Sequence, residues 1–293
     1  MSSANLTGTK TNNLHNAVMS AADFSRLSGL ISSLCGIKLP PAKKTMLEGR
    51  LRKRLRFLGM DNFPDYCKYL FSHGGLDEEC LHMVDVVTTN KTDFFREPQH
   101  FHFLTQKALP ELTQELGLGS RENRIQIWSA GCSTGEEPYT LAMFLSEFSC
   151  TYPGWHFSIL ATDISTRALN TARRAIYAHE TIEPVPLPWR KKYLLRSKGK
   201  DRGLVCMAPE IRELVTFRYL NFMEDNYGIR EPQAVIFCRN VLIYFEKPMQ
   251  LAVLQRLCRH LLKGGYLFIG HSETLHGLDL PLVQSAPTIY RKI

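Results

Sequence analysis

No stretch of this 293-residue sequence approaches the ~18 consecutive apolar residues of a membrane-spanning helix. Nothing at its start reads as a signal peptide, so a soluble cytoplasmic protein with no direct membrane insertion is expected. Eight cysteines are present, at Cys35, Cys67, Cys80, Cys132, Cys150, Cys206, Cys238 and Cys258. None forms a C-x-x-C pair and no Cys/His group has zinc spacing, so no metal is expected. Several lie in apolar runs, such as Cys238 in "AVIFCRNVLIYF", and read as free buried thiols of a reducing compartment. Two phosphate signatures are also missing. There is no G-x-x-x-x-G-K-[ST] loop, and the glycines of "SAGCSTGEEPYT" follow G-x-x-x-G rather than G-x-G-x-x-G.

What is present is basic and apolar enough for a core. Lys and Arg total 36 against 28 Asp and Glu, a formal charge of +8, and 44% of residues are hydrophobic. Such a surface attracts anionic partners without saying which. Residues 1–17 are polar and read as a disordered tail. Residues 18–90 read as an all-helical domain. Ser20 and Asp23 resemble a capping box, and Phe24, Leu27, Leu30, Ile31 and Leu34 keep helical spacing up to Gly36. The next helix places Leu47, Leu51, Leu55 and Leu58 on one face. Its other faces hold Arg50, Arg52, Lys53, Arg54 and Arg56, which are either a solvated surface or a dock for an anionic partner.

Residues 91–120 read as a linker with a bridging helix over 99–117, and 121–293 as an α/β domain. Strand-like runs at 124–129, 157–162, 214–219, 234–239 and 265–270 alternate with helical segments, which argues for a largely parallel sheet. The proline-rich interruption after residue 184 reads as a small antiparallel insertion.

Three constellations carry candidate chemistry. The first is a strand, glycine loop and helix start at "RIQIWSAGCSTGEEPYTLAMF", which turns backbone amides toward a ligand at the sheet's carboxyl edge. Asp163 ends the next strand, where an acid can accept both hydroxyls of a ribose. Together they suit an adenosine ligand without a polyphosphate, with Glu136, in preference to Glu137, facing its cationic or hydroxyl groups. A structural turn with acids favouring a helix N-terminus is the other reading of the loop. The second is "NKTDFFREP", residues 90–98, whose Arg96 could clamp a carboxylate or whose Phe94 and Phe95 could simply fill a core. The third is "AVIFCRNVLIYFEKP", an apolar strand with Arg239 and Asn240 at its carboxyl end and Tyr244 shortly after.

From about residue 20 to the C-terminus these motifs resemble the CheR family, the chemoreceptor glutamate O-methyltransferases of bacterial chemotaxis. "NKTDFFRE", "WSAGCSTGEEPYT", "FCRNVLIYF" and "GHSE" (Gly270 to Glu273) occur in the family's order, and Lys91 stands where the family commonly has Glu. The resemblance implies a Rossmann-like S-adenosylmethionine-dependent methyltransferase domain, preceded by an all-α domain and carrying a β-subdomain insertion at about 190–218. It implies methyl transfer to receptor glutamates, with S-adenosylhomocysteine as product. Cofactor contacts are implied at Asn90, Thr92, Arg96, Glu136, Asp163, Asn221, Phe222, Arg239 and Asn240. Arg96 and Tyr244 are the candidates beside the reacting centre. The expected partners are the receptor's cytoplasmic helical bundle, met by the Arg50–Arg56 face, and in some members a C-terminal receptor peptide held by the β-subdomain. No N-P-P-Y, D-P-P-Y or Pro-Cys motif is present, so nucleic acid is not expected as substrate. A monomer is expected.

Overall fold

The computed structural model describes residues 17–72, 74–115, 124–199 and 202–293. Apart from Ala17, the expected tail lies outside the described residues, as does part of the turn expected near 200. Two compact units are present, one ending at Val87 and the other starting at Thr88.

The first unit is helical: α1 (Ala21–Cys35), α2 (Lys44–Leu58), α3 (Phe63–Ser72) and α4 (Leu76–Val87). Ser20 caps α1 by accepting the Asp23 N–H at 3.0 Å, and Gly36 ends it in the left-handed region (φ 71°). Phe24, Leu27, Ile31 and Cys35 of α1 are buried, as are Leu47, Leu51 and Leu55 of α2. Leu30, Leu34 and Leu58, expected in the same stripes, are half-buried at their edges.

The basic face of α2 is not continuous. Arg54 donates to the buried Glu79 carboxylate from Nε at 2.8 and 3.0 Å, and from Nη2 as well. Glu79 also accepts the Tyr66 hydroxyl at 3.3 Å. Arg50 donates to the Val87 carbonyl and Arg52 to the Ala17 carbonyl. Only Lys53 and Arg56 of the five are exposed. The expectation of a single five-residue dock is corrected accordingly: three of these cations serve the fold.

The second unit opens with one helical run formed by α5 (Pro98–Phe103), a π-wound turn (Leu104–Ala108) and α6 (Leu109–Glu115). Then follow β1 (Arg124–Ala130), α7 (Glu136–Thr151), β2 (His156–Asp163), α8 (Thr166–Arg174), β3 (Ile176–Ala178), α9 (Leu187–Tyr193), β4 (Leu194–Arg196), β5 (Leu204–Met207), α10 (Pro209–Arg212), β6 (Val215–Tyr219), β7 (Gln233–Cys238), α11 (Lys247–His260), β8 (Leu261–Ile269), β9 (Leu282–Ala286) and β10 (Ile289–Lys292). Seven strands form one sheet in the order β6-β2-β1-β7-β8-β10-β9. Neighbours from β6 to β8 are parallel, and β10 runs antiparallel to both β8 and β9. The near-continuous apolar run "QAVIFC" suits a strand covered on both faces, and all six residues of β7 are buried.

Two features differ from expectation. The antiparallel insertion is the sheet β3-β5-β4, so its first strand starts at Ile176, before residue 190. Val215–Tyr219 pairs with β2 as the edge of the main sheet, as the strand-like run at 214–219 anticipates, so the insertion ends before it rather than at about 218. The helix expected to bridge two parts lies within the second unit. Among the described residues no helix is long and apolar enough to cross a membrane. The eight cysteines are free; Cys35, Cys67, Cys132, Cys238 and Cys258 are buried, while Cys150 is exposed.

Removing one partner of a buried ion pair leaves the other charge uncompensated. Arg54→Ala is therefore expected to destabilise the helical unit by about 3 kcal/mol or more, read by urea denaturation of the full chain. A loss under about 1 kcal/mol would show that Arg54 is a surface cation after all.

Candidate active site

Strand order sets β1 between β2 on one side and β7 on the other. The chain reverses its direction of sheet growth between β1 and β7, and in open parallel sheets such a reversal is where a ligand crevice forms, at the carboxyl ends of the strands. The loop 131–135, Asp163, Asn221 and the pair Arg239-Asn240 all follow strand ends on this edge.

The loop after β1 is locked to β2: the Gly131 and Cys132 amides donate to the Thr162 carbonyl at 2.8 and 2.9 Å. Gly131 (φ 90°) and Gly135 (φ 100°) take backbone conformations that side chains resist. Their missing side chains also make room for protein. A Cβ at Gly131 would lie 2.5 Å from Val241 Cγ2, and one at Gly135 2.9 Å from Ala172 Cβ and 2.8 Å from the Tyr177 hydroxyl. These glycines are therefore required by packing, whether or not a ligand approaches.

Asp163 fastens the crevice from the β2 side. Its two carboxylate oxygens accept the Ser133 N–H at 2.7 Å and the Ser165 N–H at 2.8 Å. The 90–98 stretch crosses the same edge: Ser133 Oγ donates to the Asn90 carbonyl at 3.0 Å, and Asn90 Nδ2 to Ser165 Oγ at 3.4 Å. Further along, the Phe95 amide donates to Thr140 Oγ1 at 3.2 Å. Phe94 is buried, as the core reading allowed, and Phe95 packs against Phe101, Phe144 and Trp189. The segment is a strap on the second unit rather than a free linker.

The two glutamates have separate surroundings. Glu137 accepts Ser129 Oγ at 2.8 Å and lies 3.1 Å from Arg239 Nε. Glu136 is buried and accepts the Thr134 hydroxyl at 2.6 Å. Burial pushes the carboxyls of both above the usual range; Arg239 opposes this at Glu137, whereas nearby Asp93 adds to it at Glu136. Among the described residues, Glu136 has no protein cation in ion-pair contact.

Arg239 is itself buried, and its side chain points at protein groups. Nη2 donates to the Arg96 carbonyl at 2.7 Å, Nη1 lies 3.3 Å from His100 Nδ1, and the guanidinium lies over the Phe101 and Phe237 rings.

Asn240 has a left-handed backbone (φ 58°), and a second carboxylate holds it there. Buried Glu273 accepts the amides of Gly270, Asn240 and Ile243 at 2.7, 3.0 and 3.3 Å. Burial raises the Glu273 carboxyl and these amides pull it back. Gly270 is required here too, since its Cβ would fall 2.4 Å from Asn240 Nδ2. Thr92, Arg96 and Tyr244 are half-buried; Arg96 Nη1 donates to the Lys91 carbonyl at 3.2 Å. Asn221 accepts the Met223 amide at 3.0 Å, and Phe222 is buried in a cluster with Tyr227 and Phe245. Of the supporting acids, Glu137 is named from sequence only as the alternative to Glu136, and Glu97 and Glu273 carry no signal beyond falling inside or beside a quoted motif.

Residues 90–289 match the family described as "CheR methyltransferase, SAM binding domain", and residues 22–88 its "all-alpha domain". The chain belongs to the CheR methyltransferase family. It is similar to the "Chemotaxis protein methyltransferase" of Borreliella burgdorferi, with 38% identity over 92% of this chain and 94% of that protein. The protein of the same description from Escherichia coli is 37% identical over 93% of this chain and 90% or more (91%) of its own length. "Chemotaxis protein methyltransferase 2" of Pseudomonas aeruginosa is 38% identical, covering 86% of each chain. As a CheR-family enzyme the chain uses S-adenosylmethionine. The crevice fits that cofactor: it carries an anchored acid after β2, and a buried carboxylate, Glu136, that a cationic group would satisfy.

Three amides depend on Glu273, that of Gly270 in a fully buried bond and those of Asn240 and Ile243 in part-buried ones. Glu273→Ala should cost about 3 kcal/mol in urea denaturation, since each buried donor left unpaired costs about 1–3 kcal/mol. A change below about 0.5 kcal/mol would mean the loop holds itself.

Proposed function

We propose that this protein transfers the methyl group of S-adenosylmethionine to glutamate side chains of chemotaxis receptors, leaving a methyl ester and S-adenosylhomocysteine. The observation that carries this reading is the full-length likeness to chemotaxis protein methyltransferases across both units. The reaction would take place in the cytoplasm on the receptor's helical bundle.

Bound in the crevice, the cofactor supplies an electrophilic methyl group on a positively charged sulfur. The protein's residues bind and orient. Asp163 accepts the ribose hydroxyls while its amide partners hold it still. Glu136, in preference to the already paired Glu137, takes the ammonium. Asn90, Thr92, Asn221, Phe222 and Asn240 line the remaining contacts, and Arg239 acts by holding the Arg96 carbonyl rather than by touching the ligand. A substrate glutamate has an unperturbed pKa near ~4.3, so it reaches the crevice as a carboxylate and needs no general base. Arg96 and Tyr244 orient it and exclude water. Neither Glu136 nor Asp163 should press on the sulfur, because its positive charge is lost in the transition state and a carboxylate there would favour the ground state.

The assay is methyl-labelled S-adenosylmethionine with receptor-bearing membranes. Base-labile label on the receptor is the expected result. Label on nucleic acid, or cofactor binding without transfer, would overturn the proposal.

For the receptor bundle, the free part of α2 is Lys53 and Arg56, next to Phe57, which is 76% exposed. An exposed apolar ring close in sequence to two cations, with the Arg54 guanidinium over it, suits an acidic amphipathic helix. The double variant Lys53→Glu/Arg56→Glu should raise the receptor KM about tenfold, lose salt sensitivity and keep cofactor affinity. An unchanged KM would remove α2 from the docking surface. The small sheet β3-β5-β4 leaves β3 and β4 as edges, with Leu195 exposed on β4. Such an edge can add an extended peptide, which supports a C-terminal receptor segment as its partner.

A further inference from the structure

Beside the crevice, Glu97, His100 and His271 turn their donor atoms toward one another, all within 4.8 Å. Glu97 Oε2 is 3.5 Å from His100 Nδ1 and 3.8 Å from His271 Nε2. An ion with tetrahedral bonds of about 2.0–2.1 Å spaces its ligand atoms roughly 3.4 Å apart. The cluster is therefore close to a ligand set, and a small closure completes it.

Two further observations point to a cation. The first is the tautomer of His100. Arg239 Nη1, which can only donate, lies 3.3 Å from His100 Nδ1, and Thr288 Oγ1 lies 2.8 Å from Nε2. The ring proton is then on Nε2, and Nδ1 presents a lone pair. Burial, with Arg239 adding to it, holds the ring neutral by lowering its pKa to about 3. The second is Glu97 Oε2, which is buried and has no hydrogen-bond partner. A carboxylate oxygen and an imidazole lone pair thus face each other across 3.5 Å. Arg239 is near both, with Nη1 3.3 Å from Nδ1 and Nε 3.8 Å from Oε2, but makes no aligned bond to Glu97. On the open side stands His271, whose side chain is 53% exposed and offers a path to solvent.

We propose that Glu97, His100 and His271 form a binding site for a divalent transition metal of the zinc class, with water in the remaining position, and that filling it inhibits methyl transfer. Glutamate and imidazole suit zinc, and Thr288 supplies the outer hydrogen bond that orients a metal-bound histidine. The adjacent Arg239 charge makes the site weak and reversible rather than structural. Inhibition follows from the ligands' other duties. The metal takes the His100 lone pair from Arg239, the residue that pins the Arg96 carbonyl, and pulls on Glu97, whose Oε1 lies 3.5 Å from Asn240 Nδ2. Metal binding stands on this geometry alone; inhibition rests on the proposed methyltransferase activity.

Co2+ serves as the probe, titrated into the full chain and followed by its visible d–d absorption, with Zn2+ as competitor. One equivalent should bind without a thiolate charge-transfer band. His271→Ala should lower the affinity about tenfold or more, and Thr288→Ala by about 10–100-fold, with circular dichroism unchanged. Zn2+ should slow receptor methylation by the wild type, reversibly with chelator, and leave His271→Ala unaffected. No binding below roughly 100 µM, equal affinity in His271→Ala, or a thiolate band would overturn the site. Binding without inhibition would overturn its inhibitory role. Failure of receptor methylation in metal-free protein would instead count against the proposed function and leave the Co2+ titration standing.

Discussion

The carboxyl edge of the second unit depends on one buried cation. Arg239 follows the central strand β7 and reaches Glu137 at the start of α7, the Arg96 carbonyl in the strap, and His100 in α5. A guanidinium placed among aromatic rings is costly unless its donors are matched. Here the matching partners come from three different segments, so satisfying one charge fixes where those segments lie. Glu273 does the corresponding work with opposite sign, gathering three amides around the left-handed turn at Asn240. The crevice is preorganised by charges that never need to meet the ligand.

That division bears on what was legible in the sequence. The five parallel-sheet strands are legible because β7 and the end of β8 are short apolar runs while β1, β2 and β6 are rich in β-branched and aromatic residues, each lying between helical segments or turns. The C-terminal hairpin β9-β10 is not, since "LVQSA" and "IYRK" lack a covered face and are mostly half-buried or exposed. Asp163 and the glycine loop could be placed because position after a strand determines which edge they occupy. Arg239 could not be read as internal: sequence shows a cation at a strand end, and only packing shows that Glu137 and the strap enclose it. The arginines of α2 failed for the same reason. Glu79 lies 25 residues from Arg54, and helical periodicity says nothing about a partner on another helix.

The glycines carry a related lesson. In sequence, the glycine loop suggests backbone amides turned toward a ligand. In the structure, the vacant Cβ positions of Gly131 and Gly135 face Val241, Ala172 and Tyr177. A glycine loop at a strand end thus marks tight packing of loop on helix as much as a ligand. The ligand-facing signal lies in the acids: Asp163 held by amides, and Glu136 buried with no cation in ion-pair contact among the described residues.

His100 and Thr288 touch across 188 residues of chain, and Glu97 meets the His271 amide across 174. During synthesis, the strap and the first half of the sheet leave the ribosome long before their partners exist. The crevice can reach its final form only when the last hairpin has been made. A nascent or C-terminally truncated chain would hold the glycine loop, Asp163 and the first strap bonds but lack the partners of Glu97 and His100, so the far end of the strap is finished late in the life of each molecule.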